Sequence, residues 1–169
     1  AADIAAPQAA APAEAQPDVV EPVAHEDAAP QQPVPVEDAA PLPPPERDEE
    51  LVGIFLEEAD EILESAGTSL ESWMEAPDNL IEVQSLQRDL HTLKGGARMA
   101  GITAMGNLSH EIETLLISVD DGRVKVTVAV DELLQRSVDE LHRMRDTVIA
   151  GKPVRAAAEL EQRIQHANA

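Results

Sequence analysis

The sequence of 169 residues contains no cysteine and no tyrosine, and it has only 12 Lys and Arg against 33 Asp and Glu. The absence of cysteine excludes disulfide bonds, thiol catalysis and thiolate metal sites. The net charge of −21 argues against nucleic acids and anionic membranes as partners, because clustered Lys and Arg bind both. Two aromatic side chains, Phe55 and Trp73, are too few for a platform on which single-stranded bases would stack.

Long apolar runs and targeting signals are also lacking. No stretch of about 18 apolar residues occurs, so no membrane-spanning helix is expected. Residues 1–16 have neither a basic start nor a Leu-rich centre, so they do not resemble a signal peptide, and a cytoplasmic location is expected. No Gly-x-x-x-x-Gly-Lys loop is present to bind a nucleotide.

Proline divides the chain into two parts of different character. Residues 1–47 hold 11 of the 13 prolines, 14 alanines, nine acidic residues and none of the eight glycines. Such a segment buries too little apolar surface to offset its ordering entropy, so the sequence predicts a disordered Ala/Pro/Glu-rich linker over 1–47. The folded domain is predicted over 48–169.

The domain over 48–169 shows helical periodicity throughout. Apolar residues recur every three or four positions, which predicts helices over about 48–75, 80–100, 103–119, 128–150 and 154–165. The predicted inward stripe of the first helix is Leu51, Phe55, Ala59, Ile62, Ala66, Leu70 and Trp73. We therefore expect an all-α fold, an antiparallel four-helix bundle with an extra C-terminal helix that docks weakly on the bundle end.

The most informative stretch is HTLKGGARMAG, which begins at His91 and ends at Gly101. His91 lies about 120° from the centre of the apolar stripe of its helix, so its imidazole is expected on the solvated flank. Gly95 and Gly96 each cost about 1 kcal/mol relative to Ala inside a helix, and the expected reason is access for a partner surface. Lys94 shares the face of His91 and would place a mobile ammonium beside an anion on the imidazole.

Residues of the following helix are expected to hydrogen-bond this imidazole. His110 and Glu113 follow the turn at Gly101 by about as many residues as His91 precedes it. An antiparallel hairpin brings the three side chains level, so Glu113 or His110 can bond the imidazole. An acceptor on Nδ1–H would leave the Nε2 lone pair outward, as an oriented nucleophile requires.

The pattern His-x-x-Lys-Gly-Gly-Ala, followed 19 and 22 residues after the first His by His110 and Glu113, resembles the histidine phosphotransfer (Hpt) domain of CheA-family kinases. The stretch from His91 to Gly101 looks most like the CheA-like kinases that carry several such domains and govern type IV pilus motility. The resemblance implies that His91 is phosphorylated on Nε2, that Lys94 assists, that Gly95 permits approach, and that His110 and Glu113 form a hydrogen-bond network beneath.

The resemblance also implies the partners. A separate CheA-like kinase domain would use ATP and Mg²⁺ to phosphorylate His91, and a response-regulator receiver would take the group onto its Asp. This chain would then be a piece of a larger multidomain kinase, would bind no cofactor, would be unable to phosphorylate itself and would be a monomer. Gln87, Arg88 and Arg98 are expected to line the partner footprint with Gly95.

Two other functions are considered. A carboxylate-bridged metal enzyme would need paired Glu-x-x-His motifs, and the nearest pattern is Asp139-x-x-His142. A degenerate bundle that only docks receivers or the kinase, without accepting phosphate, is the other alternative.

Overall fold

A computed structural model describes residues 48–169, and within that range the chain forms five α-helices. They are α1 (Glu49–Glu75), α2 (Leu80–Met99), α3 (Thr103–Asp120), α4 (Val128–Ile149) and α5 (Ala158–Asn168). The all-α prediction is confirmed, whereas the linker predicted over 1–47 lies outside the described residues. None of these helices is long and apolar enough to cross a membrane.

Polar side chains and glycines set the helix boundaries. Asp48, Asn79 and Thr127 each accept a backbone N–H in the first turn of α1, α2 and α4, satisfying donors that a helix start leaves without partners. Gly101 lies between α2 and α3 with a φ of 73°, a conformation that glycine adopts without steric cost. The chain therefore reverses direction over Ala100–Ile102, which makes α2 and α3 an antiparallel hairpin.

Helices α1 to α4 form a closed ring in which each helix contacts the next and α4 contacts α1. The large, fully buried side chains at its centre are apolar and come from all four helices. They include Leu63, Leu70, Trp73, Leu86, Leu90, Leu93, Met105, Leu108, Ile112, Leu115, Leu134, Leu141 and Met144. This is the packing expected of a four-helix bundle. The ring packs the α2–α3 hairpin against α1 and α4 and so sets the position of the edge between α2 and α3.

The inward stripe predicted for α1 is wrong at two positions. Leu51 is 40% exposed and Ile62 is only partly buried, while Leu63 is fully buried in the core. Ile62 and Leu63 follow Ala59 by three and four residues, so helical spacing fits both. Because α1 packs against α2 and α4 together, the midline of its buried face passes through Leu63.

The C-terminal helix also differs from its prediction. Helix α5 begins at Ala158, four residues later than expected, and Val154 packs against the core from the non-helical segment before it. Ile164 is fully buried, and α5 contacts both α3 and α4. The helix therefore packs along the side of the bundle and does not dock weakly on its end.

Candidate functional site

The edge between α2 and α3 carries the imidazole that the sequence singled out. The side chain of His91 is 69% exposed, as expected for the solvated flank of α2. Its Nδ1 lies 2.7 Å from Oε1 of Glu113 on α3, so the predicted register of the hairpin is confirmed. With Nδ1 engaged, Nε2 is the ring nitrogen left for chemistry.

Glu113 also binds Lys94 through its other oxygen. Nζ of Lys94 donates to Oε2 of Glu113 at 2.6 Å. The side chains of Lys94 and Glu113 are 17% and 11% exposed, so this pair is largely shielded from water. The ammonium is therefore anchored to Glu113 and is not the mobile group that the sequence analysis expected beside the imidazole.

The charge of Glu113 follows from these partners. Burial raises the pKa of its carboxyl, but the hydrogen bonds and charges of Lys94 and His91 outweigh burial, and the pKa lies below its ordinary value of 4.5. Glu113 is therefore ionised at neutral pH and only accepts hydrogen bonds. The proton between Glu113 and His91 therefore sits on Nδ1, and in the neutral ring the lone pair is on Nε2.

His110, the other predicted member of the network, lies at its margin. Its Nδ1 is 4.0 Å from Oε2 of Glu113, too far for a hydrogen bond, and its side chain is 51% exposed. Its position one turn before Glu113 brings it near the carboxylate without bonding to it. The geometry thus joins His91, Lys94 and Glu113 directly and places His110 beside them.

The two adjacent glycines have different surroundings. A Cβ on Gly95 would meet nothing within 4 Å, so the surface there is open. A Cβ on Gly96 would lie 2.9 Å from Cδ2 of Phe55 on α1. The access that the sequence analysis assigned to both glycines therefore applies to Gly95, whereas Gly96 permits the close packing of α2 on α1.

The remaining predicted footprint residues also lie on α2. Arg88 and Arg98 are exposed, and Gln87 is partly buried. The Cγ of Arg98 lies 2.8 Å from where a Cβ on Gly106 would be, so its stem passes over the backbone of α3. Arg98 thus covers the base of the hairpin, while Gln87 and Arg88 lie one turn before His91.

A carboxylate-bridged metal enzyme, one alternative function, would need a cluster of metal-binding side chains. Across 48–169, no group of three or more His, Cys, Asp or Glu side chains could hold a metal ion. His142 lies beside an open cavity of about 370 Å³ between α1 and α4, where Asp60 pairs with Arg145. The carboxylate-bridged metal site therefore has no supporting cluster in this part of the chain.

The sequence did not identify two residues that support the site through helix packing. Phe55 packs beneath Gly96 and fixes α2 on α1, and Gly106 lets the stem of Arg98 cross α3. A glycine inside a helical stretch signals close packing of some neighbour. The sequence does not identify that neighbour, because it belongs to another helix.

Known proteins resemble the chain in both sequence and structure. Residues 50–148 match the Hpt domain family. The chain is 29% identical over 104 residues to the chemotaxis protein CheA of Borreliella burgdorferi, an alignment covering 62% of this chain and 12% of that protein. The chain spans between 10% and 15% of the length of the curated relatives it matches.

Solved structures share the helical arrangement. The solution structure of the histidine phosphotransfer domain of CheA aligns with a TM-score of 0.63 at 27% identity, covering 70% of this chain and 91% of that one. The phosphorylated P1 domain of CheA3 from R. sphaeroides, crystallised in complex with CheY6, aligns with a TM-score of 0.62 at 23% identity, covering 70% and 94%. The second likeness shows the fold alone. Together with the match over 50–148, these findings show that the chain belongs to the Hpt domain family and carries a CheA-like Hpt domain.

Proposed function

We propose that this domain is a phosphoryl carrier that accepts a phosphoryl group on Nε2 of His91 and passes it to an Asp of a response-regulator receiver. The observation that carries the proposal is the hydrogen bond from Nδ1–H of His91 to the ionised Glu113. It fixes the tautomer and leaves a nucleophilic lone pair on an exposed ring. Membership of the Hpt domain family supports the same chemistry.

The transfer needs little from the domain beyond orientation and charge. The Nε2 lone pair attacks the γ-phosphorus of ATP held with Mg²⁺ on a kinase domain, the Nε2–P bond forms, and the bond to the bridging oxygen breaks as ADP leaves. The ring becomes positively charged while Nδ1 keeps its proton, and Glu113 offsets that charge. In the second step a receiver carboxylate attacks phosphorus, the P–N bond breaks, and its electron pair returns to Nε2.

We assign the kinase partner to the CheA type and the pathway to chemotaxis or type IV pilus motility. The CheA relatives support the kinase class, and the complex of a CheA3 P1 domain with CheY6 supports a receiver as acceptor. The stretch from His91 to Gly101 supports a pilus kinase as the parent protein. Under this proposal the domain is one cytoplasmic module of a longer kinase.

Transfer of label from ATP tests the proposal. The chain is incubated with a CheA-like kinase core, Mg²⁺ and γ-labelled ATP, and receivers are then added. We expect an acid-labile, alkali-stable label on the wild type and none on His91→Gln. His110→Gln is the matched control, because His110 is also exposed and lies beside Glu113, and it should retain the label.

Two outcomes would contradict the proposal. Label on His91→Gln would place the phosphoryl group on another residue. A wild type that binds receivers but takes no label from any kinase core or phosphorylated receiver would identify a docking bundle. Loss of label to one receiver, on the other hand, would name the acceptor.

A further inference from the structure

Arg88 is a cation without a partner in a strongly acidic protein. Of the eight arginines in the described range, Arg123, Arg143 and Arg145 pair with carboxylates, and five, Arg88 among them, make no ion pair. The guanidinium of Arg88 makes no ion pair or side-chain hydrogen bond with any residue of 48–169. Its helical neighbours three and four positions away are Gln84, Ser85, His91 and Thr92, none of which is acidic.

Helix geometry directs the His91 ring toward this cation. Side chains on an α-helix lean toward its N-terminus, so a residue covers the turn before its own Cα. This general direction favours a position of the His91 ring on the side of the turn that contains Gln87 and Arg88, which lie four and three residues earlier in α2. At 100° per residue these two positions lie about 40° to one side and about 60° to the other side of His91.

Gln87 supplies a second donor in the same turn. Its amide nitrogen is buried and has no hydrogen-bond partner among the described residues. A buried donor without an acceptor costs free energy, and such a group calls for an explanation in a native structure. Lys94, on the opposite side of His91 along the helix, already donates to Glu113.

We propose that Arg88 and Gln87 bind the phosphoryl group once it is on Nε2 of His91. Arg88 would donate to two phosphoryl oxygens, and Gln87 would donate to the third once its buried amide turns outward, while Lys94 and His91 stay on Glu113. A planar guanidinium suits a phosphoryl group because it donates two parallel hydrogen bonds. The proposal rests on the proposed function and adds the residues that hold the transferred group.

A small phosphoryl donor separates this role from partner docking. The whole chain is incubated with phosphoramidate and Mg²⁺, and the phosphohistidine that forms is followed by ³¹P NMR. Phosphorylation of Arg88→Gln should be about tenfold slower than that of the wild type, as expected for the loss of one charge-assisted contact. Arg88→Lys should recover part of the rate. Arg136→Gln is the matched control that should behave as wild type, because it removes an exposed arginine of α4, a helix that does not contact α2.

The titration of the phosphoryl group gives a readout independent of rate. A cation in contact with the group favours its dianion, so the ³¹P resonance of the wild type should titrate at lower pH than that of Arg88→Gln. This measurement is made on protein labelled by phosphoramidate or by a kinase core. Gln87→Leu should slow phosphorylation by phosphoramidate about threefold, whereas the control Gln84→Leu should not change it.

The outcomes distinguish this inference from the proposed carrier function on which it rests. A wild type that neither donor labels would overturn both. Equal ³¹P titrations and equal phosphoramidate rates for wild type and Arg88→Gln would overturn the inference and leave the carrier function intact. A defect of Arg88→Gln that appears only with protein donors would also overturn it, because Arg88 would then act in docking.

Discussion

The two edges of α2 differ in the contacts that they make. Along the edge that faces α1, Gly96 packs on Phe55 and Asp89 accepts a hydrogen bond from Ser65. Along the edge that faces α3, one carboxylate holds both an imidazole and an ammonium. The first edge joins two helices, whereas the second joins two helices and also leaves most of the His91 imidazole exposed to solvent.

The adjacent glycines show how one short motif serves both edges. Successive residues of a helix point about 100° apart, so Gly95 and Gly96 cannot share a surface. Gly96 lies against Phe55, and Gly95 leaves open the flank that a side chain leaning toward His91 would cover. Structure and access are therefore encoded in neighbouring positions, and substitutions can separate them.

The largest effect on stability is expected on the α3 edge, from Glu113→Gln. The substitution removes a charge that both Lys94 and His91 contact, so the free energy of unfolding at pH 7 should fall by about 2 kcal/mol. Phosphorylation of His91 should also slow, because the ring loses the carboxylate that orients it. Chemical denaturation and the labelling assay measure the two effects.

The pH dependence of this loss follows from the lowered pKa of Glu113. The folded protein holds the carboxyl proton less tightly than the unfolded chain, so stability rises with pH through this range. The contribution is fully present above about 4.5, the ordinary value, and declines as pH falls through the lower folded pKa. The difference between wild type and Glu113→Gln should therefore shrink in acid; a difference that grows in acid would contradict the assignment.

Glu111→Gln is the matched control for that substitution. Glu111 lies on the same helix and faces Glu161 of α5. Burial of the Glu161 carboxyl and the charge of Glu111 both raise the pKa of Glu161. Removing this repulsion should leave stability unchanged or slightly higher at pH 7. A loss as large as that of Glu113→Gln would mean that any charge change on α3 destabilises the bundle.

A smaller effect is expected from paired substitutions at the glycines. Gly95→Ala should raise the free energy of unfolding by about 1 kcal/mol through helix propensity, since its Cβ meets no neighbour. Gly96→Ala gains the same propensity but forces Phe55 to move, and overpacking costs about 1–3 kcal/mol, so it should be the less stable variant. Denaturation of both variants measures the difference.

Gly95→Ala also tests, in the transfer assay, whether Gly95 gives a partner access to His91. Gly95→Ala should slow phosphorylation by a kinase core and leave phosphorylation by phosphoramidate unchanged, because only a large partner needs the open flank. If Gly95→Ala accepts label from the kinase at the wild-type rate, Gly95 has no role in access.

Sequence periodicity predicted the bundle and a contact of His91 with Glu113 or His110, because both depend on spacing along helices. The separation of 22 positions from His91 to Glu113 brings them level in a hairpin once the turn at Gly101 is recognised. The anchoring of Lys94 and the burial of Leu63 in place of Ile62 were not predictable in this way. Each depends on which neighbouring helix lies opposite, and spacing within one helix does not contain that information.

The smallest effect is expected on the α1 edge, from Ser65→Ala. Oγ of Ser65 donates to Oδ2 of Asp89 at 2.8 Å across the α1–α2 seam, and both side chains are accessible to solvent. The lost hydrogen bond is worth about 0.5–1 kcal/mol, and the higher helix propensity of Ala offsets part of it, so stability should change by less than about 0.5 kcal/mol. The rate of His91 phosphorylation by a kinase core should not change, because Ser65 contacts the edge of α2 that faces α1, and His91 lies on the other edge. A several-fold fall in that rate would show that the partner also contacts the α1 edge, and the division between the two edges of α2 would have to be withdrawn.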